Sequence, residues 1–173
     1  YKIVARNVPS EVVSGDFYDF IPLSGSHLGI VIADVSGKGV PAAILMASAR
    51  ASLRAYLEDP HTVGETITRL NRVLHRDMGA DQFVTLFYGS LDTHDGTFIY
   101  TNAGHNPPIL FRNHQAILLQ KGGTILGVMP NTIYEEEKIQ LMRGDLLVFY
   151  TDGITETERD EEYFGLERFS SAR

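Results

Sequence analysis

The sequence predicts an α+β domain with a mostly antiparallel sheet, on three observations. An apolar, β-branched run in the N-terminal part has the composition of a buried strand. Two segments with helical periodicity follow it, and the rest of the chain alternates apolar runs with short turns. Strands joined by tight turns pair antiparallel, and helices segregated from them are typical of the α+β class. The length of 173 residues predicts one domain, spanning 1–173.

The first buried strand and the first helix are separated by a glycine-rich turn. The strand is "HLGIVIADV", residues 27–35, and the turn is "SGKG". Pro41 suits the first turn of a helix, because proline lacks an amide hydrogen that this position does not use. Strong helix formers continue to Glu58, and the dipeptide Asp59-Pro60 ends the helix.

A second helix is predicted from Val63 to Met78. Thr62 and Glu65 have the spacing of a capping box, in which each side chain bonds the backbone amide of the other residue. Beyond this helix, "QFVTLFYGSLD" and "TFIYTNAG" form a predicted hairpin across the turn "THDG". "PPILFR" and "AILLQ" repeat that pattern across "NHQ". "TIYEEEKIQL" and "DLLVFYTD" are two later predicted strands, with "RGD" as the turn between them.

Composition excludes several classes of function. The chain has no cysteine, which rules out disulfides and thiolate chemistry and fits a reducing, cytoplasmic compartment. No apolar run is long enough to span a membrane, and no signal peptide is visible. The net charge of −7 argues against nonspecific nucleic-acid binding. An acidic balance also fits carboxylates that are gathered to hold cations.

Acidic residues stand at comparable places in three segments. Asp16 and Asp19 follow a glycine in "SGDFYD", and Asp34 ends the apolar strand. Asp152 ends the later apolar run "LLVFYTD", with Glu156 four residues further on. Carboxylates that project toward one point repel each other, and divalent cations bound through oxygen offset that repulsion. In the alternative interpretation these aspartates cap the turns that follow them.

Other chemistries do not match the sequence. "ADVSGKG" lacks the first glycine of a phosphate-binding loop and has Gly39 where the hydroxyl residue belongs. A G-x-S-x-G nucleophile elbow is absent, and no helical H-x-x-x-H pair suggests a zinc hydrolase. The chain also lacks the D-x-[DN]-x-[DN]-G loop of a calcium-stabilised structural domain.

Seven segments occur together and in order: "SGDFYD", "ADVSGKGVPAA", "FVTLFYGSLD", "NAGHNPP", "LGV", "GDLLVFYTDGITE" and "FGLERF". This set closely resembles the SpoIIE-like branch of the PP2C family of metal-dependent serine/threonine phosphatases, which includes bacterial regulators of sigma factors. The resemblance extends from about Val8 to Phe169. It implies an αββα sandwich, in which two mostly antiparallel sheets lie between helical layers.

The resemblance also implies a two-metal site that holds Mn²⁺ or Mg²⁺. Asp34 matches the aspartate that bridges the ions, and Val35 matches the residue that donates a backbone carbonyl. Asp16 matches the acid for one ion, and Asp152 matches the acid for the other. Members of the family continue past "FGLERF" to a last strand with a further acid. The resemblance therefore implies that this segment stops before that motif, and we expect it to hold one ion or none.

The implied function is hydrolysis of phosphoserine or phosphothreonine in a protein. The resemblance suggests a phosphorylated STAS-domain anti-anti-sigma factor as substrate, an upstream sensor domain or activator, and a homodimer. The alternative is a pseudophosphatase that docks a phosphoprotein without turnover. The roles of two other residues stay open. His105 in "NAGHNPP" is either a proton donor or phosphate contact or part of a rigid connection, and Lys38 is either a phosphate contact or a solvated turn residue.

Overall fold

The secondary structure follows the predicted order of strand, helix pair and hairpins. The computed structural model describes residues 1–8, 15–79, 81–159 and 162–171. The helices are α1 (Gly39–Tyr56), α2 (Val63–Asp77), α3 (Asp152–Thr155) and α4 (Gly165–Ser171). The strands are β1 (Phe17–Pro22), β2 (His27–Val35), β3 (Val84–Asp92), β4 (Thr97–Ala103), β5 (Ile109–Arg112), β6 (Gln115–Leu118), β7 (Gly122–Gly123), β8 (Glu137–Gln140), β9 (Leu146–Val148), β10 (Glu158–Arg159) and β11 (Glu162–Tyr163). None of the described helices combines the length and apolar character needed to cross a membrane.

The larger sheet has the strand order β1-β2-β3-β4-β7, and β8 also pairs with β4. All of its pairings are antiparallel except the short one between β4 and β7. A smaller sheet has the order β6-β5-β9, and both of its pairings are antiparallel. Strands β10 and β11 form a separate antiparallel pair. The prediction of mostly antiparallel sheets is confirmed.

The hydrophobic core lies in three successive layers. Leu45 and Leu53 of α1 and Leu70 of α2 pack against one face of the larger sheet. The opposite face, including Phe87, packs against the smaller sheet. Phe169 of α4 contacts Tyr150 on the outer side of the smaller sheet, with ring centroids 4.7 Å apart. The layers therefore run helix, sheet, sheet, helix, and the predicted αββα sandwich is confirmed.

Most predicted elements are found within a few residues of their expected bounds. The strand over residues 27–35 is confirmed, and so is the capping box, in which Thr62 and Glu65 bond each other's backbone amides. The predicted strand over residues 132–141 is reduced to β8. The residues before β8 instead form hydrogen bonds with α2. Thr68 accepts from the Tyr134 amide, and Glu136 accepts from the Gly64 amide. The turn over residues 143–145 links β8 and β9, which belong to different sheets.

Candidate active site

Asp16 and Asp34 lie side by side where β1 begins and β2 ends. Phe17 pairs with Ala33 in the antiparallel register, so the residues just outside that pair are neighbours across the two strands. The two carboxyl groups are within hydrogen-bonding contact. Burial, together with the nearby carboxylates of Asp16 and Asp152, raises the pKa of Asp34 to about 7. Such a shift means that the site disfavours several negative charges in the absence of a cation.

We call the place where Asp16, Asp34 and the nearby Asp152 meet the corner, and the backbone of Val35 also contributes to it. Its amide bonds the Asp34 carboxyl and partly opposes the rise in pKa. Its carbonyl oxygen faces Gly15, and a β-carbon at position 15 would lie 2.6 Å from that oxygen. Only glycine allows this close approach without displacing one of the two backbones. Gly15 belongs to the "SGDFYD" segment, but no sequence pattern marked it as a functional residue.

Asp152 lies near the pair, but its predicted position at a strand end is wrong. Strand β9 ends at Val148, and Asp152 is the first residue of the short helix α3. The strand stops early because β9 pairs with β5 over only three residues, Leu146–Val148. The preceding residue, Thr151, donates a 2.9 Å hydrogen bond from Oγ1 to Oδ2 of Asp16. The tertiary structure therefore brings Asp152 toward Asp16 and Asp34 through Thr151.

His105 is buried beside this corner and is 3% exposed. Its Nδ1 atom shares a 2.9 Å hydrogen bond with the hydroxyl of Thr85. Burial lowers the pKa of His105 to about 4, although the backbone of Tyr150 and the charge on Asp16 oppose the shift. Thr85 is the partner of Asp34 in the register of β2 and β3. A neutral, buried imidazole in this position supports the interpretation of "NAGHNPP" as a rigid connection.

The backbone around His105 is held by Asn102. The side chain of Asn102 accepts from the His105 amide at 2.8 Å and donates to the His105 carbonyl at 3.0 Å. This reciprocal pair closes the turn that leaves β4. Lys38, by contrast, is exposed at the N-cap of α1 and makes no side-chain capping bond. Glu156 is exposed at the C-terminal end of α3.

Asp19 has a structural role that the sequence did not indicate. It is buried on β1, and its carboxylate accepts 2.8 Å hydrogen bonds from Arg50 and Arg54 of α1. Burial alone would raise the pKa of Asp19, but these two guanidinium groups lower it below its usual value. Asp19 therefore joins α1 to the strand that begins beside Asp16.

The donors of the corner fit a hard divalent cation. Three carboxylates and a carbonyl are all oxygen ligands, which Mg²⁺ and Mn²⁺ prefer. Within the described residues, the groups that shift the pKa of Asp34 include no lysine or arginine. Across the same part of the chain, however, no three histidine, aspartate or glutamate side chains are close enough together to form a ready set of ligands. The corner thus holds a carboxylate pair with Asp152 beside it.

Comparison with known proteins identifies the family. The family described as Stage II sporulation protein E (SpoIIE) matches residues 24–173. The chain is 32% identical to phosphoserine phosphatase RsbU of Bacillus subtilis (strain 168) over 163 residues, covering 93% of this chain and 48% of RsbU. The chain thus spans about half the length of this curated relative.

Solved structures agree with that match. The chain is similar to the RsbU and RsbW domains of Rv1364c from Mycobacterium tuberculosis, with a TM-score of 0.74 and 33% identity over 86% of this chain and 42% of that one. The PP2C phosphatase domain of SpoIIE from Bacillus subtilis has a TM-score of 0.74 and 26% identity, over 84% and 43% of the two chains. The chain therefore belongs to the SpoIIE branch of the PP2C phosphatase family.

Proposed function

We propose that the chain is the catalytic domain of a metal-dependent phosphatase that hydrolyses phosphoserine or phosphothreonine in proteins. The observation that carries the proposal is the contact between Asp16 and Asp34, with Asp152 near enough to raise the Asp34 pKa further. Two carboxylates in contact, with a third nearby, repel each other and cost stability unless a cation is bound. Membership of the phosphatase family and the name of the relative RsbU support the same activity.

In this proposal Asp16, Asp34, Asp152 and the Val35 carbonyl hold Mn²⁺ or Mg²⁺. Bound divalent ions supply an activated water and neutralise charge on the phosphoryl oxygens. The chain's own contribution is to fix the ligands: Gly15 leaves room for the Val35 carbonyl, and Thr151 orients Asp16. The absence of cysteine from the sequence excludes a cysteinyl-phosphate route.

The proposed substrate is a phosphorylated STAS-domain anti-anti-sigma factor. The support for this choice is the resemblance to sigma-factor regulators, and RsbU is named a phosphoserine phosphatase. An upstream sensor domain or activator, and a homodimeric state, belong to the same proposal. Each concerns the whole protein, and the chain spans about half the length of RsbU.

A second candidate is a pseudophosphatase that docks a phosphoprotein without turnover. The observation in its favour is that the described residues hold no ready set of three acidic or histidine ligands. The two candidates differ in one measurable respect. A phosphatase releases phosphate only when a divalent ion is present, whereas a docking module binds the phosphoprotein and releases none.

The test uses the full-length protein and a phosphoserine peptide. Phosphate release is measured after chelation and metal-free dialysis, and again after Mn²⁺ or Mg²⁺ is restored. We expect activity to disappear on chelation and to return with either ion, because all of the proposed ligands are oxygen. Turnover that survives complete metal removal would contradict the metal mechanism. Peptide binding without turnover, with every ion tested, would establish the docking function instead.

A further inference from the structure

Three arginines form a row on the outer face of α2. Arg69, Arg72 and Arg76 are spaced by three and four residues, so they lie along one side of the helix. All three are exposed. No carboxylate in the described part of the chain lies within 4.0 Å of them. The row is therefore a local concentration of positive charge in a chain whose net charge is −7.

The acids that border this row are already engaged elsewhere. Glu65 accepts from the Thr62 amide in the capping box. Glu136 accepts from the Gly64 amide, and Glu135 pairs with Lys121. These contacts direct the bordering carboxylates to the helix N-terminus and to Lys121. These carboxylates nevertheless keep their negative charge beside Arg69 and Arg72, and the arginine charge is least opposed toward Arg76.

Two grooves lie between α2 and the segment 127–136. Their volumes are about 590 Å³ and 420 Å³, and both are lined by Arg69 and Arg72. Ile133 lines the larger groove and is 77% exposed. Three glutamates, Glu65, Glu135 and Glu136, also line the larger groove. Pro130 and Arg76 line the smaller one, which has no carboxylate among its described lining residues and is therefore the more basic of the two. Apolar and guanidinium groups thus share one surface, a composition enriched in protein interfaces.

The segment opposite α2 is held rigidly. The buried side chain of Asn71 donates to the Met129 carbonyl and accepts from the Gly127 amide, each at 2.8 Å. His75 bonds the Gly127 carbonyl at 2.8 Å, and Thr68 accepts from the Tyr134 amide at 3.3 Å. Because this backbone is already ordered, a partner that binds here does not have to order it, and binding costs less entropy.

We propose that this α2 arginine surface, formed by Arg69, Arg72, Arg76, Pro130 and Ile133, binds an acidic segment of a partner protein. Carboxylates of the partner bond the guanidinium groups, and an apolar side chain of the same segment packs against Ile133. Charge complementarity selects the partner, because unpaired arginines form strong, charge-assisted bonds with carboxylates. None of these residues belongs to the candidate active site, so the surface can be tested independently of catalysis.

The experiment measures fluorescence anisotropy of a labelled peptide of six glutamates and two leucines on the purified protein. Binding is expected to be saturable at about 0.15 M salt and to weaken as the salt rises. In the variant R69E/R72E/R76E we expect affinity to fall at least about tenfold, since charge-assisted bonds are lost. The control variant K2E/K138E/R143E changes the net charge equally at exposed positions elsewhere and should bind as the wild type does.

Two further variants test the apolar contact and guard against unfolding of the triple variant. Ile133→Ser should weaken binding of the leucine-containing peptide and leave an all-glutamate peptide unaffected. Arg72→Gln serves as a milder variant if circular dichroism shows that the triple variant is unfolded. Equal losses in the triple variant and its control, or no saturable binding by the wild type, would overturn the proposal. So would a single-stranded RNA that competes as well as the peptide, because the surface would then be a general polyanion site.

Discussion

The hydroxyl of Thr151 donates a 2.9 Å hydrogen bond to the carboxylate of Asp16, although 135 positions separate them in the chain. Thr151 directly precedes Asp152, and Asp16 contacts Asp34. This one bond therefore ties the segment that carries Asp152 to the strand pair that carries the other two acids. Thr151 thereby positions Asp16 relative to the segment that carries Asp152, and substitutions at and around this bond have testable effects.

Replacing Thr151 by valine should loosen the candidate site while the fold is retained. The variant keeps the shape of the side chain but removes the donor to Asp16, which costs stability by about 1 kcal/mol. We expect Mn²⁺ affinity, measured by calorimetry, to fall several-fold. Thr151→Ser keeps the hydroxyl and should restore most of the affinity. Equal affinities for wild type and the valine variant would show that Thr151 does not orient Asp16.

The Gly15→Ala variant should displace the Val35 carbonyl. An added β-carbon would lie 2.6 Å from that oxygen, so one of the two backbones has to move. We expect weaker Mn²⁺ binding and a lower melting temperature. Gly79→Ala is a suitable control, because its added carbon meets no atom closer than 3.7 Å. Unchanged Mn²⁺ binding in Gly15→Ala would remove the Val35 carbonyl from the proposed ligands.

Asp34→Asn in the full-length protein should abolish Mn²⁺-dependent turnover of a phosphopeptide. The substitution removes the Asp34 carboxylate, and with it the repulsion of Asp34 by Asp16 and by Asp152. The melting temperature without metal should therefore be no lower than that of the wild type. Asp77→Asn removes an exposed carboxylate elsewhere and serves as control. Activity within tenfold of the wild type, about 1.4 kcal/mol of barrier, would rule out a metal-ligand role for Asp34.

Stability should depend on pH through Asp145. The Arg112 guanidinium beside it lowers the pKa of Asp145 from its usual 3.8, although burial opposes the shift. Because the folded pKa is the lower one, the ionised carboxylate contributes its full stability above the unfolded pKa. That contribution is lost as the pH falls through the folded value. The difference in unfolding free energy between wild type and Asp145→Asn should therefore be constant near neutral pH and shrink below about pH 4.

Urea denaturation of both proteins across this range measures the difference. Asp77→Asn again provides the comparison, since Asp77 makes no ion pair within the part of the chain that the structure describes. Its difference from the wild type should not vary in the same way. If the difference in unfolding free energy between wild type and Asp145→Asn stays constant into strong acid, the contact with Arg112 does not stabilise the carboxylate form.

Local patterns in the sequence predicted the elements that depend on near neighbours. The strand over residues 27–35 and the capping box of Thr62 and Glu65 were both found where they were expected. Strand alternation and capping are set by residues within a few positions of each other, so a sequence pattern is sufficient to recognise them. Strands were also predicted on both sides of residues 143–145 and were found, although shorter than expected, but their assignment to different sheets was not predicted.

The position of Asp152 shows where local pattern fails. The run "LLVFYTD" is apolar almost to its end, and apolarity alone predicts a strand that reaches Asp152. Strand β9 stops at Val148 because pairing with β5 stops there. Phe149 and Tyr150 are nonetheless packed in the core, so their apolar character reflects burial and not strand pairing.

The sequence by itself determined which acids are present, that thiolate chemistry is excluded, and that the ordered motifs resemble a phosphatase family. Only the tertiary structure decided which groups meet. The register of β1 on β2 places Asp16 beside Asp34, the turn before α3 brings Thr151 to Asp16, and Asp19 is taken up by two arginines of α1. These contacts join residues distant in sequence, and they depend on strand pairing and layer packing that no local pattern encodes.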